Sequence, residues 1–268
     1  MSSIERHFLR FRYIDEMAEM GSPLHRVAPQ AKLIATLFFI ITVASFDKYT
    51  VLQLLPFYIF PAVMISYGGL SARFFMKSVL IVSPFAVVIG IFNPLIDHHV
   101  VANIGGLDIS GGWVSFLSIL LRFTLTVTAA LVLISLTGFT RICSAMESLY
   151  VPKVFVVQLM FLYRYIFVLM EEADRMLTAS SMRLFGKKMG FRLYVSFLGH
   201  LLLRTMDRAQ RIHLAMFSRG FDGTIRCSGD CGMSRSDMLF VLFWCGLFII
   251  FRIYNVPMLL GGAVTGVL

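Results

Sequence analysis

Charge is what this sequence has least of. Only 15% of its 268 residues are Asp, Glu, Lys or Arg, and 58% are hydrophobic, whereas ordinary soluble domains are about a quarter charged and about half apolar. With a mean hydropathy of +0.81, the chain lacks the polar surface that a water-soluble domain needs. Cysteine is sparse too. Cys143, Cys227, Cys231 and Cys245 do not make a secreted disulfide framework. Cys227 and Cys231 have no second pair to complete a zinc site, so all four are read as free thiols on a reducing side. Also missing are the phosphate-binding GxxxxGK(S/T) loop, the GxSxG elbow and the HExxH pair. The chain therefore carries no motif for nucleotide hydrolysis, esterase chemistry or zinc proteolysis, and we expect no catalytic residue, cofactor or resident metal. Acids are the scarcer charges, 15 against 24 bases, for a net of +9. In a soluble protein that excess suggests nucleic acid. Here the bases lie between hydrophobic blocks, where the positive-inside rule accounts for them, and no nucleic-acid partner is expected.

What is present is a series of apolar blocks at 31–46, 51–70, 79–96, 113–138, 154–170 and 238–254; a spanning helix needs about 20 mostly apolar residues. The first block follows a charged segment too long for a signal-peptide n-region and is read as a retained membrane helix. Pro56, Pro61, Pro84 and Pro94 predict kinks rather than breaks. Lys and Arg in the short loops set the orientation. Arg6, Arg10, Arg12 and Arg26 place the N-terminal segment inside, as do Arg73 and Lys77 for a turn at 71–78 and Arg141 and Lys153 for the segment after the fourth block. The loop 97–112 has neither Lys nor Arg and is read as outside. Residues 171–237 hold eleven Lys/Arg and seven Asp/Glu, a net of +4, whereas the tail after Tyr254 is uncharged. That asymmetry puts 171–237 inside and the tail outside, which makes 154–170 a buried or interfacial helix that does not cross. The expected architecture is an all-α polytopic membrane protein of the inner or plasma membrane with about five transmembrane helices; six spans with an inside C-terminus is the alternative. A single membrane domain is expected over 1–268, with 139–237 as a cytoplasmic or interfacial region of long amphipathic helices.

In that region, Glu171, Glu172 and Asp174 open a helix read over 171–186, where acids suit the positive end of the dipole, and Gly186 offers its stop. A second helix is predicted from Phe191 to Arg219, stopped by Gly220. A wheel at about 100° per residue gathers Arg204, Arg208, Arg211 and Arg219 within about 80°. Leu202, Leu203, Met206, Leu214, Met216 and Phe217 fall opposite. Such a helix can lie beneath a bilayer or against membrane helices, with its arginine face free for lipid headgroups or a protein partner, or simply solvated. His98 and His99 are read as part of a polar external loop. His200 and His213 are too far apart to ligate from one face, and His213, on the apolar side, reads as packing. Arg122 and Arg164 lie inside apolar blocks, where ionisable residues are costly. Tyr163 and Tyr165 beside Arg164 favour an interfacial anchor, and Arg122 can snorkel toward the outer face.

Three stretches carry a family resemblance: Ser22-Pro-Leu-His-Arg-Val-Ala-Pro-Gln-Ala-Lys32, Val151-Pro-Lys-Val-Phe-Val-Val-Gln-Leu-Met-Phe-Leu-Tyr-Arg-Tyr-Ile-Phe-Val-Leu-Met-Glu-Glu172, and Ala215-Met-Phe-Ser-Arg-Gly-Phe-Asp-Gly223. In order and spacing the chain resembles the T component of energy-coupling factor (ECF) transporters, most of all the cobalt-type subunit CbiQ, over roughly residues 22 to 250. The resemblance implies a subunit without a catalytic site, which holds a substrate-binding membrane subunit against two cytoplasmic ABC-type ATPase subunits. It also implies two short Arg-centred motifs, at the ends of cytoplasmic coupling helices, that dock into grooves on the ATPases. Ser218-Arg219-Gly220 matches the second motif. Met182-Arg183-Leu184 occupies the place of the first but departs from its small-Arg-small pattern.

The implied coupling residues are thus Arg183, Ser218, Arg219 and Gly220. An arginine fork can bond carboxylates and carbonyls together, and small neighbours permit close approach; a cation near a helix C-terminus is also favourable without any partner. The implied partners are the two ATPases, a substrate-binding subunit for cobalt or nickel, and membrane lipids. Cobalt uptake linked to cobalamin synthesis is the leading function, with nickel or a vitamin as alternatives. From another class, a membrane-embedded lipid enzyme would need polar or acidic residues clustered at a membrane face, and no such cluster is visible. A self-sufficient channel would need polar spans to line a path.

Overall fold

Apolar residues at helical spacing lay down the long elements. The computed structural model describes residues 24, 27–48, 50–96, 100–104, 107–184, 190–221, 223 and 233–254. Helix α1 (Pro29–Ala44) starts with proline at its first position, where the missing N–H costs nothing. Ala31, Ala35, Phe39 and Val43 recur every fourth residue and are buried, while Leu37 and Ile41 face outward. The block 51–70 divides into a 3-10 segment (Leu52–Tyr58) containing Pro56 and helix α2 (Ile59–Gly68), with Pro61 in its first turn. Helix α3 (Ala72–Gly90) carries Pro84 in its interior and is followed by the short α4 (Phe92–Ile96). Arg73 and Lys77 therefore lie on a helix and not in the expected turn. The expected loop 97–112 contains an antiparallel hairpin, β1 (Val100–Ile104) and β2 (Leu107–Ser110). Then come α5 (Gly111–Thr137), α6 (Phe139–Ser148), α7 (Lys153–Arg183), α8 (Phe191–Ser218) and α9 (Arg235–Ile253).

The largest departure from the sequence reading is α7. Residues 154–170 and 171–183, read as two helices, form one helix of 31 residues. The acids at 171, 172 and 174 do not start a helix; they sit within one. Glu171 pairs with Arg175 one turn on (3.7 Å) and Glu172 with Arg204 of α8, so their charges are met by side chains rather than by a helix dipole. By length and composition, four helices among the described residues can cross a membrane: Ala72–Pro94, Gly111–Thr137, Lys153–Arg183 and Arg235–Ile253. The stretch 154–170, expected not to cross, is the apolar part of the third. Pro29–Ala44 and Leu52–Gly68 are shorter apolar helices. Apart from the hairpin the chain is an all-α, multi-pass membrane protein.

The chain divides into two compact units, one holding α1–α5 and α9, the other α7, α8 and the end of α6. The first is built on aromatic rings. Phe248 of α9 is fully buried, with its ring centroid 5.3 Å from those of Phe39 and Phe60 and 5.8 Å from Trp244. Leu125, Ala129, Val132 and Leu136 form the matching stripe on α5. A Cβ added at Gly68 would lie 2.6 Å from the end of the Leu136 side chain, which would have to shift, so glycine gives α2 a small-residue contact with α5 of the kind that membrane helices use.

Polar groups in this unit are tied to helix ends. The Asp237 carboxylate accepts from the backbone N–H of Ser234 (3.0 Å), closing a capping box on α9, and from that of Ala28 (3.1 Å), just before α1. Buried Lys32 directs its ammonium to the Leu136 carbonyl (3.5 Å) in the last turn of α5, where a cation is favoured. Arg122 donates to the Asp47 carbonyl. Arg252 donates to the Ser45 carbonyl (2.9 Å) and lies 4.2 Å from the centre of the Phe46 ring. Both arginines thus hold the segment after α1, which gives Arg122 a structural task.

Candidate functional site

The second unit is a pair of long helices running antiparallel. Arg204 of α8 pairs with Glu172 near the middle of α7. Phe161 and Tyr165 face the C-terminal half of α8, and Met176 and Ser180 face its N-terminal half. The residues of α8 turned toward α7, Leu201, Thr205, Arg208, Ile212 and Met216, are half-buried and recur at helical spacing. Leu202, Leu203, Leu214 and Phe217 are all more than half exposed. The expected arginine face is free only in part. Arg204 is paired, and Arg208 and Arg211 line a cleft with Glu172, so the outward face of α8 is the apolar one.

The four motif residues sit at the two ends of α8. Arg183 is the last residue of α7 and is exposed; beside it, Leu184 keeps helical geometry and its N–H bonds the Ser180 carbonyl (3.1 Å). Arg183 borders a groove of about 460 Å³ shared with Leu193 and Ser196 at the start of α8. Gly186, the expected stop, lies outside the described residues. Arg219 caps the far end, 28 residues of helix along, which is on the order of 40 Å at 1.5 Å per residue. The structure therefore sets Arg183 and Arg219 at opposite ends of one rod and does not bring them together.

The Arg219 end has a fixed geometry. Gly220 has φ +76°, its N–H bonds the Phe217 carbonyl (2.9 Å), and the Phe221 N–H bonds the Met216 carbonyl (3.1 Å). This is a Schellman stop, which needs a left-handed residue after the helix. Met216 and Phe221 both line the groove between the helices, the apolar contact that accompanies such a stop. The Ser218 hydroxyl donates back to the Leu214 carbonyl (2.9 Å), leaving the Arg219 guanidinium as the projecting group. At the other end, the position after the C-cap Leu184, equivalent to Gly220, lies outside the described residues.

The remaining candidates fall elsewhere. His213 stands edge-on to Phe217 with centroids 4.6 Å apart, as packing predicts, and His200 borders the Arg183 groove. Arg164 is exposed between half-buried Tyr163 and Tyr165. Cys143 is buried and Cys245 half-buried, neither of them in a disulfide, while His98, His99, Cys227 and Cys231 lie outside the described residues. Among the described residues no three His, Cys, Asp or Glu side chains gather as a metal site. Sequence reading missed Asp237 and Lys32 as ties between helix ends. A capping signature at Ser234 and Asp237 marks the first; nothing local marks the second.

These features define a multi-pass helical membrane protein with a separate arginine-tipped helical hairpin. Residues 20–228 match the model of the CbiQ family, cobalt transport protein, and the chain belongs to that family, the T-component family of ECF transporters. Two relatives come from Methanocaldococcus jannaschii. The uncharacterized protein MJ1571 is 24% identical over 242 residues, covering 86% of this chain and 82% of its own. The uncharacterized protein MJ1089 is 31% identical over 102 residues, 37% of this chain and 38% of its own length. The family is described as one of cobalt transport proteins, and the helices long and apolar enough to cross a membrane suit a place in the cell membrane.

Proposed function

We propose that this chain is the non-catalytic coupling subunit of an ECF-type importer, passing ATP-driven motion from two ABC-type ATPase subunits to a substrate-binding membrane subunit for cobalt. The observation that carries the reading is the placement of Arg183 and Arg219 at opposite ends of α8, about 40 Å apart. Two arginines that far apart suit two docking grooves on two ATPase subunits and cannot serve one small site. The net +4 of residues 171–237 supports a cytoplasmic position for the charged half of α7 and for α8. The outward apolar face of α8 suits the substrate-binding subunit. Nickel remains the nearest alternative cargo, since nothing in these residues chooses the ion.

The test is pull-down of the ATPases and ATP-dependent cobalt uptake for Arg219→Ala, Arg219→Lys and Arg183→Ala/Arg219→Ala at matched membrane levels. A buried charge-assisted contact is worth about 2–5 kcal/mol, and an ammonium cannot copy the fork, so Lys should restore little. Full assembly and uptake in the double variant would refute the coupling role.

A further inference from the structure

The cleft where α7 meets the middle of α8 is unbalanced in charge. Arg204, Arg208 and Arg211 line it with Thr205 and Leu169, and Glu172 is its one carboxylate. Arg204 takes that carboxylate, and Glu171, its neighbour in sequence, is engaged by Arg175 on α7 itself. Arg208, half-buried in the seam, and Arg211 are left facing a space of about 210 Å³. Two guanidiniums without an acid are a site for an anion, and their forks suit phosphate oxygens.

The cleft does not end there. Leu169, Thr205 and Arg208 also line a second, larger groove of about 620 Å³, whose other walls include Phe161, Tyr165 and Met206. From Glu172 to Phe161 is eleven residues of α7, about 16 Å, or roughly half the thickness of a bilayer's hydrocarbon core. The order along the helix is charge first, then apolar wall, toward the half of α7 apolar enough for a membrane. A free phosphate would fill the cleft and leave the groove empty. An apolar peptide would fill the groove and leave the arginines unmatched. We propose that cleft and groove together hold one anionic phospholipid, its phosphate between Arg208 and Arg211 and one acyl chain along Phe161, Tyr165 and Met206. This site is independent of ATPase docking, so either reading can fail without the other.

The experiment uses the purified full chain in detergent with equal amounts of phosphatidylglycerol and phosphatidylcholine of identical chains, and counts retained lipid by native mass spectrometry. A basic residue at a membrane surface favours anionic lipid by about 1 kcal/mol, so two should give a preference of about thirtyfold for phosphatidylglycerol. Arg208→Gln/Arg211→Gln should bring the ratio close to one, and Arg192→Gln, outside the cleft, should leave it unchanged. Excess inorganic phosphate should displace little of the lipid. Equal retention of the two lipids by the unaltered chain overturns the proposal, however the variants behave. Complete displacement by inorganic phosphate overturns it in favour of a free-phosphate site. If the double variant does not purify, Arg211→Gln alone, at an exposed position, should lower the ratio severalfold, and an unchanged ratio there overturns the proposal equally.

Discussion

The two units spend their large side chains in opposite ways. In the unit of α1–α5 and α9, Phe39, Phe57, Phe60, Trp244 and Phe248 interlock at the centre. In the unit of α7 and α8, α8 has no buried residue and Val156 is the only one on α7, although both helices are rich in Leu, Met and Phe. Inside a bilayer, apolar side chains gain nothing by leaving lipid for protein, so helices hold together through close packing and polar ties. The first unit has both: rings in contact, glycine at the α2–α5 approach, and Asp237 and Lys32 binding helix ends. The second has the Glu172–Arg204 ion pair between its helices and an outward apolar face. The difference separates a scaffold with a packed ring core of its own from a hairpin without one.

Phe248→Ala should break the scaffold most. Its ring lies against five other aromatic side chains, Phe38, Phe39, Phe57, Phe60 and Trp244, and truncation leaves a cavity. Without the water-transfer contribution, the lost packing of a core phenylalanine costs on the order of 3 kcal/mol. Thermal unfolding in detergent should show it as a clear fall in midpoint; an unchanged midpoint would mean that the rings are not the core. Asp237→Ala comes next. It leaves the Ala28 N–H unpaired and opens the capping box of α9, for about 2 kcal/mol in all. Asp237→Asn, which keeps an acceptor oxygen, should recover part of that loss in the same melt, and equal loss in both variants would assign the effect to charge rather than to hydrogen bonding.

Sequence reading captured the scaffold better than the hairpin, for physical reasons. The block 113–138 and α5 (Gly111–Thr137) agree closely because a long run without turn residues has one solution. Pro56 was read as a kink and is a 3-10 segment instead, a difference that only the packing of Leu54 and Phe57 into the core decides. The join at 170–171 was misread because acids at a helix start and acids paired across a helix look alike in sequence. Their partners, Arg175 and Arg204, distinguish the two, and the second comes from another helix. The end of α8 was readable because Gly220 announces a left-handed stop. Which face of α8 turns outward was not, since a wheel orders side chains about an axis without saying what stands beside it.

Glycine sharpens the comparison within the hairpin. Gly199 and Gly220 both have open space where a Cβ would go, so neither is present to avoid a clash. Gly199 lies inside α8, where alanine is the better helix former by about 0.8–1 kcal/mol. Gly220 has φ +76°, a conformation that costs an L-residue roughly 1–2 kcal/mol. Gly220→Ala should therefore speed amide exchange over the last turn of α8 by about tenfold, whereas Gly199→Ala should slow exchange around it. If both changes act in the same direction, the Schellman stop is not what fixes Arg219.

The smallest effect on the isolated chain carries the most information about what covers the hairpin. Leu203 and Leu214 are 64% and 65% exposed on the outward face of α8. Because they are already mostly exposed, Leu203→Ser/Leu214→Ser should move the unfolding midpoint of the purified protein by no more than about 0.5 kcal/mol equivalent, the range of surface changes. Were the same residues packed in the free subunit, truncating two leucines would cost several kcal/mol. The two outcomes lie far enough apart for one melting curve to separate them. If the face is an interface, the same variant should lose co-purification with the substrate-binding subunit while keeping its own stability, since interface energy is concentrated in a few well-packed apolar side chains. Unchanged co-purification together with an unchanged midpoint would mean that this face meets neither the chain nor that partner, and the contrast between a closed scaffold and a covered hairpin would then have to rest on lipid alone.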